Sequence, residues 1–97
     1  MLYMVIETFD QGADVVYERF REKGRMLPGG LTYVDSWVSE DMSRCYQLME
    51  TQDRTLLDAW MSHWDDIVGF HVVPVLPSKD AQQRISGMDQ VSTPPGT

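Results

Sequence analysis

Apolar and polar positions alternate at the start of the chain, take up a helical period, and then alternate again. "LYMVIETF", Leu2 to Phe9, is rich in apolar and β-favouring residues, is bounded by "DQG", and predicts a strand. In "ADVVYERFREKGRM" the period changes. Val16 and Phe20 fall at i, i+4, with Ala13 on the same side and Tyr17 flanking, while Glu18, Arg21, Glu22 and Arg25 take the wetter side. This is an amphipathic helix, with Asp10 or Asp14 serving its N-terminus and Gly24 near its end. "YVDSWVSEDMSRCYQLME", Tyr33 to Glu50, alternates across a turn of Ser39, Glu40, Asp41 and Met42 and predicts a hairpin.

A second helix follows in "TQDRTLLDAWMSHWDDIV". Leu56, Trp60, Trp64 and Ile67 make one apolar row, and Thr51 or Asp53 is the expected cap. "GFHVVPVL" is a last strand. Pro74 lacks an amide hydrogen, so this strand belongs at a sheet edge or carries a bulge. From Pro77 onward large apolar residues thin out, which predicts one helical turn near Asp80 to Ile85 and then a flexible end.

The order β-α-β-β-α-β is the ferredoxin-like pattern, an α+β fold with a four-stranded antiparallel sheet and both helices on one face. Residues 1–77 form the domain and 78–97 a flexible C-terminal tail. The strand alternation divides the sheet residues into two sets. Leu2, Met4, Ile6, Val34, Val38, Tyr46, Leu48, Phe70 and Val72 suit the helix-facing core. The open face would then carry Tyr3, Val5, Glu7, Tyr33, Asp35, Trp37, Cys45, Gln47, Met49, His71, Val73 and Val75. A sheet face exposed to water should be mostly polar, and this one is not. A contiguous apolar patch marks a partner or a ligand.

Composition narrows the partner. The net charge of −7 opposes nucleic-acid binding, which neutralises phosphates with Lys and Arg, and opposes docking on an anionic membrane. The single cysteine, Cys45, excludes an internal disulfide and a cysteine-based zinc site, and its mid-strand position is that of a small buried hydrophobe. The N-terminus has no basic n-region, and the longest apolar run is too short to span a bilayer, so a cytoplasmic protein is expected.

Several blocks carry a resemblance. "MLYMVIETF", "YERFREKGRMLP", "YVDSWV", "CYQLMET" and the helix from Trp60 to Trp64 before "VVPV" resemble a small bacterial domain-of-unknown-function family placed in the dimeric α/β-barrel superfamily. The resemblance spans roughly residues 1 to 76. It implies a ferredoxin-like protomer whose open sheet face meets that of a second copy across a two-fold axis, and it implies no particular activity. The wider superfamily includes monooxygenases, some haem-degrading, lactone isomerases and proteins without known chemistry. His63 invites comparison with a helix histidine that ligates haem, but Glu7 stands where the haem-degrading relatives share an asparagine. No cofactor and no metal are expected.

The candidate ligand-binding residues of the open face are Glu7, Tyr33, Asp35, Trp37, Gln47 and His71. Carboxylates and a histidine in an apolar cavity can move protons, because burial raises carboxyl pKa values toward neutrality. The bland account has the same groups hydrogen-bonding each other across an interface. Arg25 and Arg44, near turns, are the first cations to consider for an anionic ligand, though cations near a helix C-terminus also satisfy its dipole. The leading expectation is a homodimer that binds a small, partly apolar ligand or serves as an interaction module. The alternative is a cofactor-independent monooxygenase or isomerase acting on a small aromatic or lactone-like substrate.

Overall fold

The computed structural model describes residues 1–89. The elements are β1 (Leu2–Phe9), α1 (Ala13–Lys23), β2 (Leu31–Val38), β3 (Arg44–Thr51), α2 (Thr55–Met61), β4 (Val68–Val75) and α3 (Ser78–Asp89). The four strands form one antiparallel sheet in the order β2-β3-β1-β4. This is the expected β-α-β-β-α-β topology, and Pro74 lies on the edge strand β4. Val16 of α1 and Leu57 and Trp60 of α2 join Val5, Phe9 and Met49 of the sheet in a single core, so both helices cover the same sheet face.

The helix ends follow local chemistry. Asp53 caps α2, accepting the amide of Thr55 at 3.0 Å and its hydroxyl at 2.6 Å. Helix α2 stops at Met61 rather than continuing to Val68. The Ser62 hydroxyl donates to the Ala59 carbonyl at 2.6 Å and competes with the backbone there. The chain continues as turns, with the amide of Trp64 bonded to the Met61 carbonyl and that of Ile67 to Trp64. Trp64 and Ile67 stay buried, so the apolar row keeps its role beyond the helix. Arg19 of α1 pins these turns, donating to both carboxylate oxygens of Asp66 at 2.7 Å and to the His63 carbonyl at 2.9 Å.

Past the last strand, α3 runs through twelve residues where a single turn is expected. The flexible end expected beyond it lies, from residue 90, outside the described residues.

In β1 and β3 the two faces are exchanged relative to the expectation, whereas in β4 Phe70 and Val72 pack against the helix-covered core and His71, Val73 and Val75 lie on the open face, as expected. Val5, Glu7 and Phe9 of β1 and Cys45, Gln47, Met49 and Thr51 of β3 are the buried set. Leu2, Met4 and Ile6 pair across the strands with Glu50, Leu48 and Tyr46, and with Val75, Val73 and His71, on the open face. Both sets are apolar, so alternation did not reveal which one the helices cover, and a change of parity moves every side chain. A bulge between Tyr33 and Asp35 adds a second change of parity within β2. Tyr33 pairs with Met49 on the helix side. Beyond the bulge Asp35 and Trp37 pair with Leu48 and Tyr46 on the open side, while Ser36 and Val38 pair with Gln47 and Cys45.

Candidate functional site

Neighbouring strands β1 and β3 set Glu7 opposite Cys45, and Val5 opposite Gln47, on the helix-covered face. Glu7 and Gln47 are therefore buried polar groups on the floor of the core, and they satisfy each other: Gln47 Nε2 donates to Glu7 Oε2 at 3.0 Å. The amide oxygen of Gln47 faces the other way and accepts a hydrogen bond from Arg25 Nε at 3.3 Å. A carboxyl, an amide and a guanidinium thus form one chain from the core outward.

Arg25 owes its position to the end of α1. Gly24 closes the helix at φ 66° and donates its amide to Phe20 O at 2.8 Å, a conformation a side chain would resist. Met26 follows at φ 60°, a strained setting for a non-glycine residue that needs support from its surroundings. The support is visible. The carbonyl of Arg25 accepts the indole N–H of Trp60 at 3.0 Å and that of Trp64 at 3.2 Å. The guanidinium lies 3.7 Å from the centre of the Tyr33 ring and 5.0 Å from that of Phe20, within cation–π range.

Between α1, the α2 region and the sheet is a cavity of about 120 Å³. Glu7, Cys45 and Gln47 form its floor, Val16, Tyr17 and Phe20 one wall, and Trp60 and Trp64 another, with Phe9, Arg25, Ser36 and Val38 completing it. Tyr17, Phe20 and Val38 are each more than a third exposed and contribute an apolar rim. Burial raises the Glu7 pKa to about 7, against the opposing pull of Arg25. The Cys45 thiol is pushed up to about 12 by burial and by the charge of Glu7, so it is a protonated, inert wall of the cavity.

The six sequence-predicted site residues divide into two groups. Glu7, Gln47 and Tyr33 come together on the helix side around Arg25. Asp35, Trp37 and His71 lie on the opposite face. Asp35 is exposed and accepts the amide of Ser36 at 2.8 Å, and Trp37 is 51% exposed. The expectation of one shared face fails because the parity of β1 and β3 is reversed and because the bulge separates Tyr33 from Trp37. His63 is an exposed residue of the turns after α2. Sequence reasoning treated Trp60 and Trp64 only as an apolar row. Two indoles four residues apart, each needing an acceptor when buried, were the available signal. Among the described residues no group of three or more His, Cys, Asp or Glu side chains is arranged to hold a metal ion, and no helix is long and apolar enough to cross a membrane.

The fold and site define a ferredoxin-like α+β protein with a buried carboxyl–amide–guanidinium chain beside an aromatic-walled cavity. The chain belongs to the DUF3303 family, described as a domain of unknown function, whose family model matches residues 1–89. That match runs past the resemblance read from the sequence and takes in α3. No curated protein and no solved structure was found to match the chain.

Proposed function

We propose that the protein is a cytoplasmic homodimer that binds a small, partly apolar molecule in the cavity between its helices and sheet. One observation carries the ligand reading: a carboxyl group is held inside an aromatic-walled space, where an apolar side chain would have packed more cheaply. Pockets that bind small molecules combine apolar walls with a few convergent polar groups, and the cavity has this composition. Native mass spectrometry of the protein purified from its own host tests the reading. A retained small molecule, displaced in a Phe20→Ala variant, is the expected result. An empty protein that also gains no thermal stability from a library of small aromatic compounds counts against it.

The dimer rests on the open face. With β1 and β3 reversed the open face is still apolar: Leu2, Met4, Ile6, Tyr46 and Leu48 join the expected Val73 and Val75 there, with Trp37 beside them. A two-fold interface uses one patch twice and lets a single sequence cover itself.

The position of the Glu7 pKa, at about 7, favours a second reading as a cofactor-independent isomerase or monooxygenase. In an isomerase, Glu7 as carboxylate would accept a proton from carbon beside a carbonyl and return it at another position. A Glu7→Gln variant that still binds ligand but turns over no substrate would favour catalysis over binding alone.

A further inference from the structure

We infer that the cavity takes a neutral, ring-sized apolar molecule carrying a hydroxyl group, and that this hydroxyl donates its hydrogen bond to Glu7 Oε1. The inference rests on the ligand-cavity reading and specifies its chemistry.

The first support is an inventory of polar atoms. Glu7 Oε2 accepts from Gln47 Nε2, whereas Oε1 has no donor among the described residues. Among those residues no fully buried side-chain nitrogen or oxygen lacks a partner. Oε1 is therefore not sealed in the core, and it opens to the cavity that Glu7 lines. On the floor and the β2 wall the other polar side chains are engaged, while Arg25 gives its Nε to Gln47 and lays its guanidinium over the Tyr33 and Phe20 rings. Gln47 uses its oxygen for Arg25 and its nitrogen for Glu7, and the Ser36 hydroxyl is bonded to Tyr33 Oη at 2.7 Å. On the floor of the cavity the spare capacity is the acceptor Glu7 Oε1, so a ligand seated there should bring a donor.

Size and charge restrict the class further. The cavity of about 120 Å³ is slightly smaller than the ~150 Å³ apolar cavity that accommodates benzene in an engineered protein. A single ring with a small substituent matches that space, and the exposed rim of Tyr17, Phe20 and Val38 leaves room for a little more apolar surface. An anion would meet Glu7 inside a chain of net charge −7. A cation would meet Arg25, one amide away, and of the lining rings would find Phe20 already faced by Arg25 and Trp64 by Arg19. A neutral donor avoids both conflicts.

Binding should then depend on pH through Glu7. The titratable groups around it are Cys45 from β3, Arg25 from the α1–β2 connection and Tyr17 from α1. From the α2 region come the indoles of Trp60 and Trp64, from β2 Ser36, and β4 pairs Phe70 with Glu7. Ionised Glu7 accepts a charge-assisted hydrogen bond, while protonated Glu7 offers only a neutral one.

Phenol and toluene are the probes, since they differ by a hydroxyl in place of a methyl. Each is titrated into the full chain by isothermal calorimetry, more than one pH unit above and below about 7. Above it, phenol should bind about tenfold more tightly than toluene, because hydrogen bonds to an ionised acceptor are roughly twice as strong as neutral ones. Below it the preference should shrink, and in Glu7→Gln it should be small at both pH values. Toluene binding as tightly as phenol above pH 7 overturns the hydroxyl assignment and leaves the cavity reading intact. A phenol preference that survives unchanged in Glu7→Gln, or a tighter grip on tetramethylammonium than on phenol, overturns it as well. Binding of neither ring compound overturns the cavity reading itself, and the inference falls with it. The two-pH comparison on the native sequence stands even where the variant does not fold.

Discussion

Trp60 in α2 and Trp64 in the turns beyond it donate their indole N–H groups to the same acceptor, the carbonyl oxygen of Arg25, at 3.0 and 3.2 Å. A carbonyl has two lone pairs, and both are used. The connection between α1 and β2 is thereby tied to the second helical region, and the side chain of Arg25 is left free to reach the sheet.

Replacing either tryptophan by phenylalanine should cost less than half of what replacing both costs. Each single variant loses one hydrogen bond, worth about 0.5–1.5 kcal/mol, while the double variant leaves a partly buried carbonyl unpaired, at about 1 kcal/mol more. Urea denaturation of the two single variants and the double variant measures this. Additive losses would show that the indoles do not share the acceptor in solution.

Stability should fall as pH rises through the Glu7 transition. The folded pKa of about 7 lies above the ordinary value of 4.5, so the folded state holds the proton more tightly than the unfolded chain. The stabilising contribution is complete below 4.5 and is lost as pH rises through about 7. The shift corresponds to about 3 kcal/mol. Glu7→Gln should flatten this part of the stability profile and should leave the variant more stable than the native sequence above pH 7. A profile that is unchanged by the substitution would place the titration elsewhere.

The Cys45 thiol, raised to about 12, should resist alkylation in the native protein. Rapid labelling is expected only after addition of denaturant. Labelling of the native protein at the denatured rate would mean that β3 is open to solvent.

Leu48→Lys sets a charge in the middle of the open face and touches neither the helices nor the cavity. Sedimentation equilibrium should show association weakened by about a hundredfold, in line with the several kcal/mol that a poorly paired interfacial charge costs. The far-ultraviolet circular dichroism should be unchanged. A native sequence that stays monomeric at high micromolar concentration defeats the dimer proposal outright.

Element order and type were readable because strand and helix periods differ strongly in this chain, and the topology follows from that order. The faces were readable in β4, where Phe70 and Val72 meet the core as expected, but not in β1 and β3. Leu2, Met4 and Ile6 look as much like core as Tyr3, Val5 and Phe9, because both sides of the sheet are apolar. Tyr33 and Trp37 show a second obstacle. They have the same parity in sequence, yet the bulge puts them on opposite faces, and Val34 carries no glycine or proline to announce it. Glu7 and Gln47 stand out in the sequence as polar residues among apolar neighbours, together with Asp35 and His71, and only the fold separates the first two from the others. Arg25 was noticed for its place near a turn, but its contact with Gln47 spans 22 residues and needed the fold.

The distribution of tryptophan has a practical outcome. Two of the three indoles in the chain, Trp60 and Trp64, are buried in the cavity wall, and the third, Trp37, is half exposed on the opposite side of the sheet. The protein therefore carries two separate optical reporters. Emission from the buried pair should lie toward the blue and respond to what enters the cavity. Emission from Trp37 should lie toward the red and move only when the open face is covered. A Trp37→Phe variant isolates the first signal, so occupancy and association can be followed independently without a label.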